Sequence, residues 1–267
     1  MKKNLISVNL YKTLLNDDLK IDDYTIKVIE ECKNKGSKVL INTSHSYNEV
    51  LKYKKIIKPN FISCFNGNYI FSDEHIFFCN PLNKIEVKKI IDEVVKNNDL
   101  FIIECLNTSY RNRIDKYDFI ETIYSDINKI NLNDCFSITI FTDNIDYVKK
   151  ICKKYNLVII YKSFLNCYKI YPKGSEKSNV INIINKFFYD EYNIISFGND
   201  KTDYETLKKS NIGIKMKNSN GLDNINFWTS SNNDSGVAKF LTSFYNLDLK
   251  ANYDIEGNEN LEDGSVV

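Results

Sequence analysis

The sequence predicts an α/β protein with a mainly parallel sheet, flanked by helices, and a smaller α+β module inserted into it. Near both ends of the chain, apolar runs of strand length alternate with amphipathic segments of helix length. This order is typical of a parallel sheet with right-handed crossovers. The middle of the chain holds several strand candidates with few helices between them, which is typical of an antiparallel sheet. A chain of 267 residues is long enough to bury both.

The first part of the alternation begins with a short strand candidate at residues 5–10. The next segment, residues 22–36, carries apolar side chains at helical spacing. Asp22 is its expected N-cap and Gly36 its expected C-terminal stop. A strand, a helix and another strand are then expected at residues 38–42, 46–56 and 61–65.

The same apolar patterns predict the helices and strands in the middle and in the last part of the chain. A helix at residues 80–98 leads into the strand-rich module. The other elements expected in this module are strands at residues 100–105, 136–141, 157–163 and 167–172 and a helix at residues 144–156. The alternation then resumes with helices at residues 176–188, 203–210 and 236–247 and strands at residues 193–197 and 213–216.

These elements predict a core domain that is interrupted by an insertion. The core is expected at residues 1–80 and 169–249, and the inserted α+β domain at residues 81–168. The last stretch, residues 250–267, is acidic and poor in large apolar side chains, so we expect it to be disordered.

Composition excludes several classes of function. Lys and Arg number 36 and Asp and Glu number 35, so no net charge favours nucleic acid binding. The two arginines, Arg111 and Arg113, are expected on a solvated face, with an acidic ligand or partner as the alternative. Seven cysteines without a C-x-x-C pair indicate buried, reduced thiols of a cytoplasmic protein. Since no apolar run approaches the roughly 18 residues of a membrane span, we expect no membrane association.

Four loops between the predicted elements lie where a ligand site is expected. In doubly wound sheets, ligands bind beyond the carboxyl ends of the strands. The loops at this position are residues 8–13, 42–46, 172–178 and 197–203. The candidate site is therefore built from segments that lie far apart in the sequence.

The residues of these loops resemble the motifs of the haloacid dehalogenase superfamily, and within it the Cof-type phosphatases. The family's first motif, D-x-D-G-T-L-L, corresponds to residues 9–15, which read N-L-Y-K-T-L-L. The second motif, a Thr or Ser that closes a strand, falls on Thr43 and Ser44, and the lysine of the third motif falls on Lys177. The fourth motif, G-D-x-x-N-D, falls on residues 198–203, which read G-N-D-K-T-D.

The resemblance spans residues 5–241 and implies a HAD-like Rossmannoid core with a parallel sheet and an inserted α+β cap domain of the Cof type. In this family an Asp attacks phosphorus to form an aspartyl-phosphate, and a second Asp two residues on acts as acid and base. Mg²⁺ is held by the nucleophilic Asp, a backbone carbonyl and an Asp of the fourth motif. The resemblance therefore implies a phosphatase site at the four loops.

The positions that carry this chemistry are substituted here. The nucleophile position is Asn9, the acid/base position is Tyr11, and Lys12 replaces the motif's glycine. An amide is a poor nucleophile, and a tyrosine, whose reference pKa is about 10, is bulkier than a carboxylate. We therefore expect covalent catalysis to fail.

The metal site is expected to be degenerate as well. It comprises Asn199, Asp200 and Asp203, so that two acids remain near the family's magnesium position. With few anionic ligands, Mg²⁺ is expected to bind weakly or not at all. The sequence thus predicts no cofactor, with Mg²⁺ required if the protein is active.

The positions that bind phosphate rather than react with it are retained. Thr43 and Ser44 offer hydroxyl and backbone donors, and Lys177 offers a positive charge. Two alternatives stay open at this point. The first is that Thr43 and Ser44 are simple turn residues. The second is that Lys177, near a helix start capped by Ser175, is a structural ion-pair partner of Asp203.

His45 stands at a position where the family often has arginine, and we expect it to be solvated. Three hypotheses of function remain. The first is a pseudophosphatase that binds a phosphorylated small molecule or a protein partner. The second is an active Mg²⁺-dependent phosphatase of sugar phosphates that uses Asp200 with Asp203. The third is an interaction or structural protein whose pocket is filled by Tyr11 and Lys12.

Overall fold

The computed structural model describes residues 2–113, 123–124, 130–162, 165–188 and 192–249. The tail for which disorder is predicted, residues 250–267, lies outside the described residues. The strands are β1 (Asn4–Val8), β2 (Lys38–Asn42), β3 (Phe61–Cys64), β4 (Tyr69–Phe71), β5 (Ile76–Cys79), β6 (Leu100–Cys105), β7 (Ser109–Arg111), β8 (Ile123–Tyr124), β9 (Cys135–Phe141), β10 (Val158–Lys162), β11 (Cys167–Tyr171), β12 (Asn193–Gly198), β13 (Ile212–Met216) and β14 (Phe227–Thr229). The helices are α1 (Asp23–Asn34), α2 (Tyr47–Ile57), α3 (Lys84–Lys96), α4 (Ile145–Tyr155), α5 (Asn179–Phe188), α6 (Tyr204–Lys209) and α7 (Gly236–Phe244).

The larger sheet confirms the predicted α/β class. In the described residues it has eight strands in the order β14-β13-β12-β1-β2-β3-β4-β5. The strands from β14 to β3 are parallel, and β4 and β5 add an antiparallel edge. Val8 of β1 pairs with Ile41 of β2 on one side and with Phe197 of β12 on the other. The carboxyl ends of these three strands therefore lie side by side, and so do the loops that follow them.

Helices cover both faces of the larger sheet because its central strands are apolar on both sides. Ile6 and Val8 of β1 pack in a cluster with residues of α1, α2 and α7. Leu5, whose side chain points the other way, packs with Leu40 of β2 and with residues of α5. Helix α1 begins after its predicted cap, since the side chain of Asp22 accepts a hydrogen bond from the backbone N–H of Thr25 at 2.7 Å.

The smaller sheet lies between β5 and α5 in the chain and has, in the described residues, six strands in the order β10-β11-β9-β6-β7-β8. It is antiparallel except for the β7–β8 pair. One face packs on α3 and α4 in a separate apolar cluster. The proposed boundary between residues 168 and 169 falls inside β11, so a boundary after Tyr171 fits this sheet better.

Several details differ from the sequence predictions. Strand β1 ends at Val8 rather than at residue 10, because a tight turn begins there. Helix α5 begins at Asn179, so Ser175 is not its cap, and the Ser175 hydroxyl instead donates to the carbonyl of Pro172 at 2.6 Å. The short strands were not predicted because two to four residues carry little periodicity. They are β4, β5, β7, β8 and β14.

All seven cysteines are free thiols. Six are buried as predicted, but Cys79 in edge strand β5 is exposed, so the prediction was wrong for this residue. None of the helices among the described residues combines the length and the apolar character that a membrane crossing requires.

Candidate functional site

Asn9 begins the loop after β1 and lies at the centre of the candidate site. Its backbone N–H continues the pairing with β12 by donating to the carbonyl of Phe197 at 3.2 Å. Its side-chain oxygen accepts from the N–H of Leu10 at 2.8 Å. Its Nδ2 donates to Oδ1 of Asn199 and to Oδ2 of Asp203, both at 3.1 Å. The side chain is thus fixed, with N–H groups directed at the fourth-motif loop.

Asp203 receives hydrogen bonds on both of its carboxylate oxygens. Oδ2 accepts from Asn9 and from the backbone N–H groups of Asn199 and Asp200, at 2.9 and 3.3 Å for the backbone donors. Oδ1 accepts from Nζ of Lys177 at 2.8 Å. Lys177 and Asp203 are only 1% and 3% exposed, so this is a buried ion pair. Such a pair is stable only when further hydrogen bonds satisfy the carboxylate, as they do here.

Two features complete this network. The hydroxyl of Thr13 donates to Oδ1 of Asn199 at 3.1 Å, a role that sequence reasoning did not assign to Thr13. Gly198 ends β12 directly against Asp203, since a Cβ at this position would lie 2.4 Å from the Cβ of Asp203. The glycine of the fourth motif is therefore required by packing.

The residues of the network do not fit the Mg²⁺ that the family implies. A hard cation needs several oxygen ligands with free lone pairs. Asn9 directs N–H groups at Asp203, and its oxygen is bound by Leu10 N–H. Both oxygens of Asp203 are occupied by donors. Moreover, no three His, Cys, Asp or Glu side chains in the described part of the chain form a group able to hold a metal ion.

Asp200 lies beside this network but is held by its own turn. Its Oδ1 accepts from the backbone N–H of Thr202 at 2.8 Å and from the Thr202 hydroxyl. Burial alone would raise the pKa of Asp200, but the positive charge of Lys177, the Thr202 hydrogen bonds and the charge of Lys162 together hold this pKa below its ordinary value. Asp200 is therefore an ionised carboxylate in a cationic neighbourhood.

Thr43 and Ser44 follow β2 and differ in the hydrogen-bond donors that they leave unused. The hydroxyl of Thr43 accepts from the N–H of His45 at 3.3 Å, so Thr43 acts as a turn residue. The carbonyl of Ser44 accepts from the Tyr171 hydroxyl at 3.1 Å. Within the described residues, the N–H and hydroxyl of Ser44 have no hydrogen-bond partner, so Ser44 remains a donor for a ligand.

Tyr11 contacts the second loop rather than the Asp203 network. Its ring stacks on His45 with centroids 3.7 Å apart and an interplanar angle of 16°. Nδ1 of His45 lies 3.0 Å from Oε1 of Glu49. Burial raises the pKa of Tyr11, and the charge of Glu49 raises it further, so its hydroxyl stays protonated. His45 is half-buried by its contacts with Tyr11 and Glu49, so the prediction that it is a solvated side chain was wrong.

The side chain of Lys12 is exposed, so the hypothesis that Lys12 fills the pocket was wrong. Its backbone has a φ of 53°, the left-handed conformation for which the motif's glycine is suited. Lys12 therefore adopts a conformation that suits glycine, the residue of the family's motif at this position.

The smaller sheet presents charged side chains that sequence reasoning missed. Lys169 of β11 forms a buried ion pair with Glu104 of β6, which also accepts from the hydroxyl of Ser137. Burial would lower the pKa of Lys169, but Glu104 raises it above its ordinary value, so the ammonium stays charged. The strand alternation at residues 157–172 was the available signal, because it places every second side chain on one face.

The two arginines differ from each other. Arg111 is 3% exposed, so the prediction of a solvated face was wrong for it, because it lies within β7 in the interior of the smaller sheet. Arg113 is exposed as predicted, and it donates to the carbonyl of Asn98 at 3.2 Å.

Known proteins are similar to this chain in sequence and in fold. The family model of the haloacid dehalogenase-like hydrolases matches residues 8–241. A candidate phosphatase of Buchnera aphidicola subsp. Baizongia pistaciae is 29% identical over 266 residues, covering 90% of this chain and 98% of that protein. The crystal structure of a haloacid dehalogenase-like hydrolase from Bacteroides thetaiotaomicron has a TM-score of 0.82 at 16% identity, covering 91% of this chain and all of that one.

A solved sugar phosphatase of HAD subclass IIB has a TM-score of 0.77 at 19% identity, and the match covers 92% of this chain and 100% of that one. These two structures show the fold, and the family model spans all four motif loops. The chain therefore belongs to the haloacid dehalogenase-like hydrolases, and its fold is similar to that of a solved subclass IIB phosphatase.

Proposed function

We propose that this protein binds a phosphorylated ligand, either a small molecule or a partner protein, at the carboxyl edge of the larger sheet without hydrolysing it. The supporting observation is the network around Asp203, in which Asn9, at the nucleophile position, donates to one carboxylate oxygen and Lys177 donates to the other. An amide is a poor nucleophile, because the lone pair of its nitrogen is delocalised into the carbonyl and its oxygen, which here accepts from the N–H of Leu10, carries no negative charge. The family's covalent step therefore has no nucleophile here.

The acid/base step lacks its group as well. A general acid must release its proton near neutral pH, whereas burial and Glu49 raise the pKa of Tyr11 above its ordinary value. The ring of Tyr11 is also held against His45. Asp200 and Asp203, the pair that an active phosphatase would use, are already engaged by Thr202 and Lys177.

Binding of an anion is supported by different groups. Ser44 has an N–H and a hydroxyl that are not used within the described residues. The ammonium group of Lys177 has three N–H donors, and one of them donates to Asp203. Hydrogen bonds from charged donors to phosphate oxygens are among the strongest in proteins. The ligand class is therefore a phosphate-bearing molecule.

The proposal is tested by assaying the purified full-length protein with p-nitrophenyl phosphate and a panel of sugar phosphates in the presence of Mg²⁺. We expect no hydrolysis above a protein-free blank. Clear metal-dependent turnover would establish the active phosphatase instead. In parallel, millimolar phosphate should raise the melting temperature. The absence of any shift would favour the interaction protein with a filled pocket.

A further inference from the structure

We propose that Lys162, which belongs to the smaller sheet, supplies the second positive charge at the phosphate position, in place of the divalent cation used by the family. Anion binding is then independent of metal and requires both sheets. This inference rests on the proposed binding function and assigns its charge recognition to a particular residue. It starts from the disagreement between the family's metal and the residues found at its position.

The register of the smaller sheet determines which way Lys162 faces. Lys162 of β10 pairs with Cys167 of β11, and Val158 pairs with Tyr171. Directly paired residues share a face, and so do alternate residues along a strand, so that Lys162, Lys169 and Tyr171 project to the same side. The hydroxyl of Tyr171 donates to the carbonyl of Ser44 at 3.1 Å. The face that carries Lys162 is therefore packed against the loop after β2.

Lys162 differs from the neighbouring lysines in its lack of an ion-pair partner among the described residues. Lys177 is paired with Asp203, and Lys169 is paired with Glu104. Across the part of the chain that the structure describes, no hydrogen bond or ion pair involves the ammonium group of Lys162. Burial lowers the pKa of Lys162, while the charge of Asp200 acts in the opposite direction.

An unpaired, half-buried ammonium is costly unless it meets an anion. Asp200 does not serve as that anion in the structure, since its hydrogen bonds are to Thr202. A phosphate dianion bound by Ser44 and Lys177 would lie beside Asp200 and Asp203 and would need a further positive charge to offset their repulsion. Among the described lysines of the smaller sheet, Lys162 is within electrostatic reach of these groups and is unpaired, whereas Lys169 is paired with Glu104.

The test measures binding of inorganic phosphate to the full-length protein by calorimetry in the presence of EDTA. We expect the wild type to bind, and we expect added Mg²⁺ to leave the affinity unchanged. Lys162→Gln, which removes the charge and keeps a polar side chain that is one bond shorter, should weaken binding by about tenfold or more. Lys162→Arg, which keeps the charge, should retain most of the affinity.

Lys153→Gln is the matched control, because Lys153 is an exposed lysine on α4, on the other side of the smaller sheet, and this variant should bind as the wild type does. Equal melting temperatures of the variants show that folding is intact. If Lys162→Gln binds as tightly as the wild type, or if binding requires Mg²⁺, the role of Lys162 is refuted while the binding function stands. If the wild type binds no phosphate at all, both proposals are refuted.

Discussion

At the scale of single residues, Asn9 illustrates how one substitution changes the charge balance of a site. An aspartate differs from it only in the terminal group, yet the Asn9 side chain lies 3.1 Å from Oδ2 of Asp203 and donates to it. An aspartate at this position would place two carboxylates within hydrogen-bond distance of each other. Lys177 carries a single positive charge and is already paired.

We therefore predict that Asn9→Asp makes stability dependent on a divalent cation. Without Mg²⁺ the variant should lose about 1–3 kcal/mol of unfolding free energy, because like charges meet in a buried position and a donated hydrogen bond is lost. Millimolar Mg²⁺ should restore part of this loss. The measurement is thermal unfolding in EDTA and in Mg²⁺.

The wild type should show no such dependence, and Asn16→Asp is the control variant. Asn16 lies near the same loop, and its side-chain oxygen accepts from the N–H of Lys20 at 2.8 Å, a bond that aspartate can also accept. If Asn9→Asp and Asn16→Asp respond alike to Mg²⁺, the assignment of Asn9 to the family's nucleophile position is wrong.

At the scale of elements, the turn after β1 holds Lys12 in a left-handed conformation at the position where the family's motif has glycine. Lys12 has a φ of 53°, and the carbonyl of Lys12 accepts from Nδ2 of Asn218 at 3.0 Å. A non-glycine residue in this conformation is strained by roughly 1–2 kcal/mol, part of which is offset because it restricts the unfolded chain.

From this strain we predict that Lys12→Gly raises the unfolding free energy slightly, on the order of 0.5 kcal/mol. Lys20→Gly is the comparison, because Lys20 is also exposed but has no positive φ, and it should be destabilising. Both variants are measured by urea denaturation. A loss of stability in Lys12→Gly equal to that in Lys20→Gly would contradict the argument.

The elements also show what the sequence can predict and what it cannot. Helix α1 was predicted with its cap because the signal, Asp22 with apolar residues at helical spacing, is local. Strand β5 was missed because its four residues are mostly exposed and have no periodic pattern. Likewise, the motif positions of Asn9 and Asp203 were visible in the sequence. Their hydrogen bond joins residues that are 194 positions apart, and its direction follows only from the folded arrangement.

The same limit explains the errors at the site. His45 was expected in solvent because a histidine in a loop carries no pattern that indicates its neighbours. In the fold it stacks on Tyr11, which belongs to the preceding strand–loop unit. Arg111 was misplaced for a similar reason, because β7 has three residues and its burial depends on the strands beside it.

At the scale of the whole molecule, hydrogen bonds and apolar contacts join the smaller sheet to the core domain. The hydroxyl of Tyr171, on the inner face of the smaller sheet, donates to the carbonyl of Ser44 in the loop after β2. Phe136 of β9 stacks on Phe65 of the loop after β3, with centroids 4.7 Å apart. Polar and apolar contacts thus join the smaller sheet to the loops that follow β2 and β3.

We predict that Tyr171→Phe lowers the unfolding free energy by about 0.5–1.5 kcal/mol, because it leaves the buried Ser44 carbonyl without its partner. It should also weaken phosphate binding, since the face that carries Lys162 is then less firmly placed. Tyr168→Phe is the control, because Tyr168 projects to the opposite face. Calorimetry and thermal unfolding of both variants give the comparison, and equal effects would argue against the role of the Tyr171 contact.

The ion pair between Lys177 and Asp203 determines where the charge that neutralises Asp203 comes from. A bound metal has to be captured from the surroundings, and its occupancy follows the free concentration there. An ammonium group tethered to the same polypeptide arrives with every newly made copy, in fixed stoichiometry. Chelators and scarcity of magnesium would then leave this neutralising partner in place.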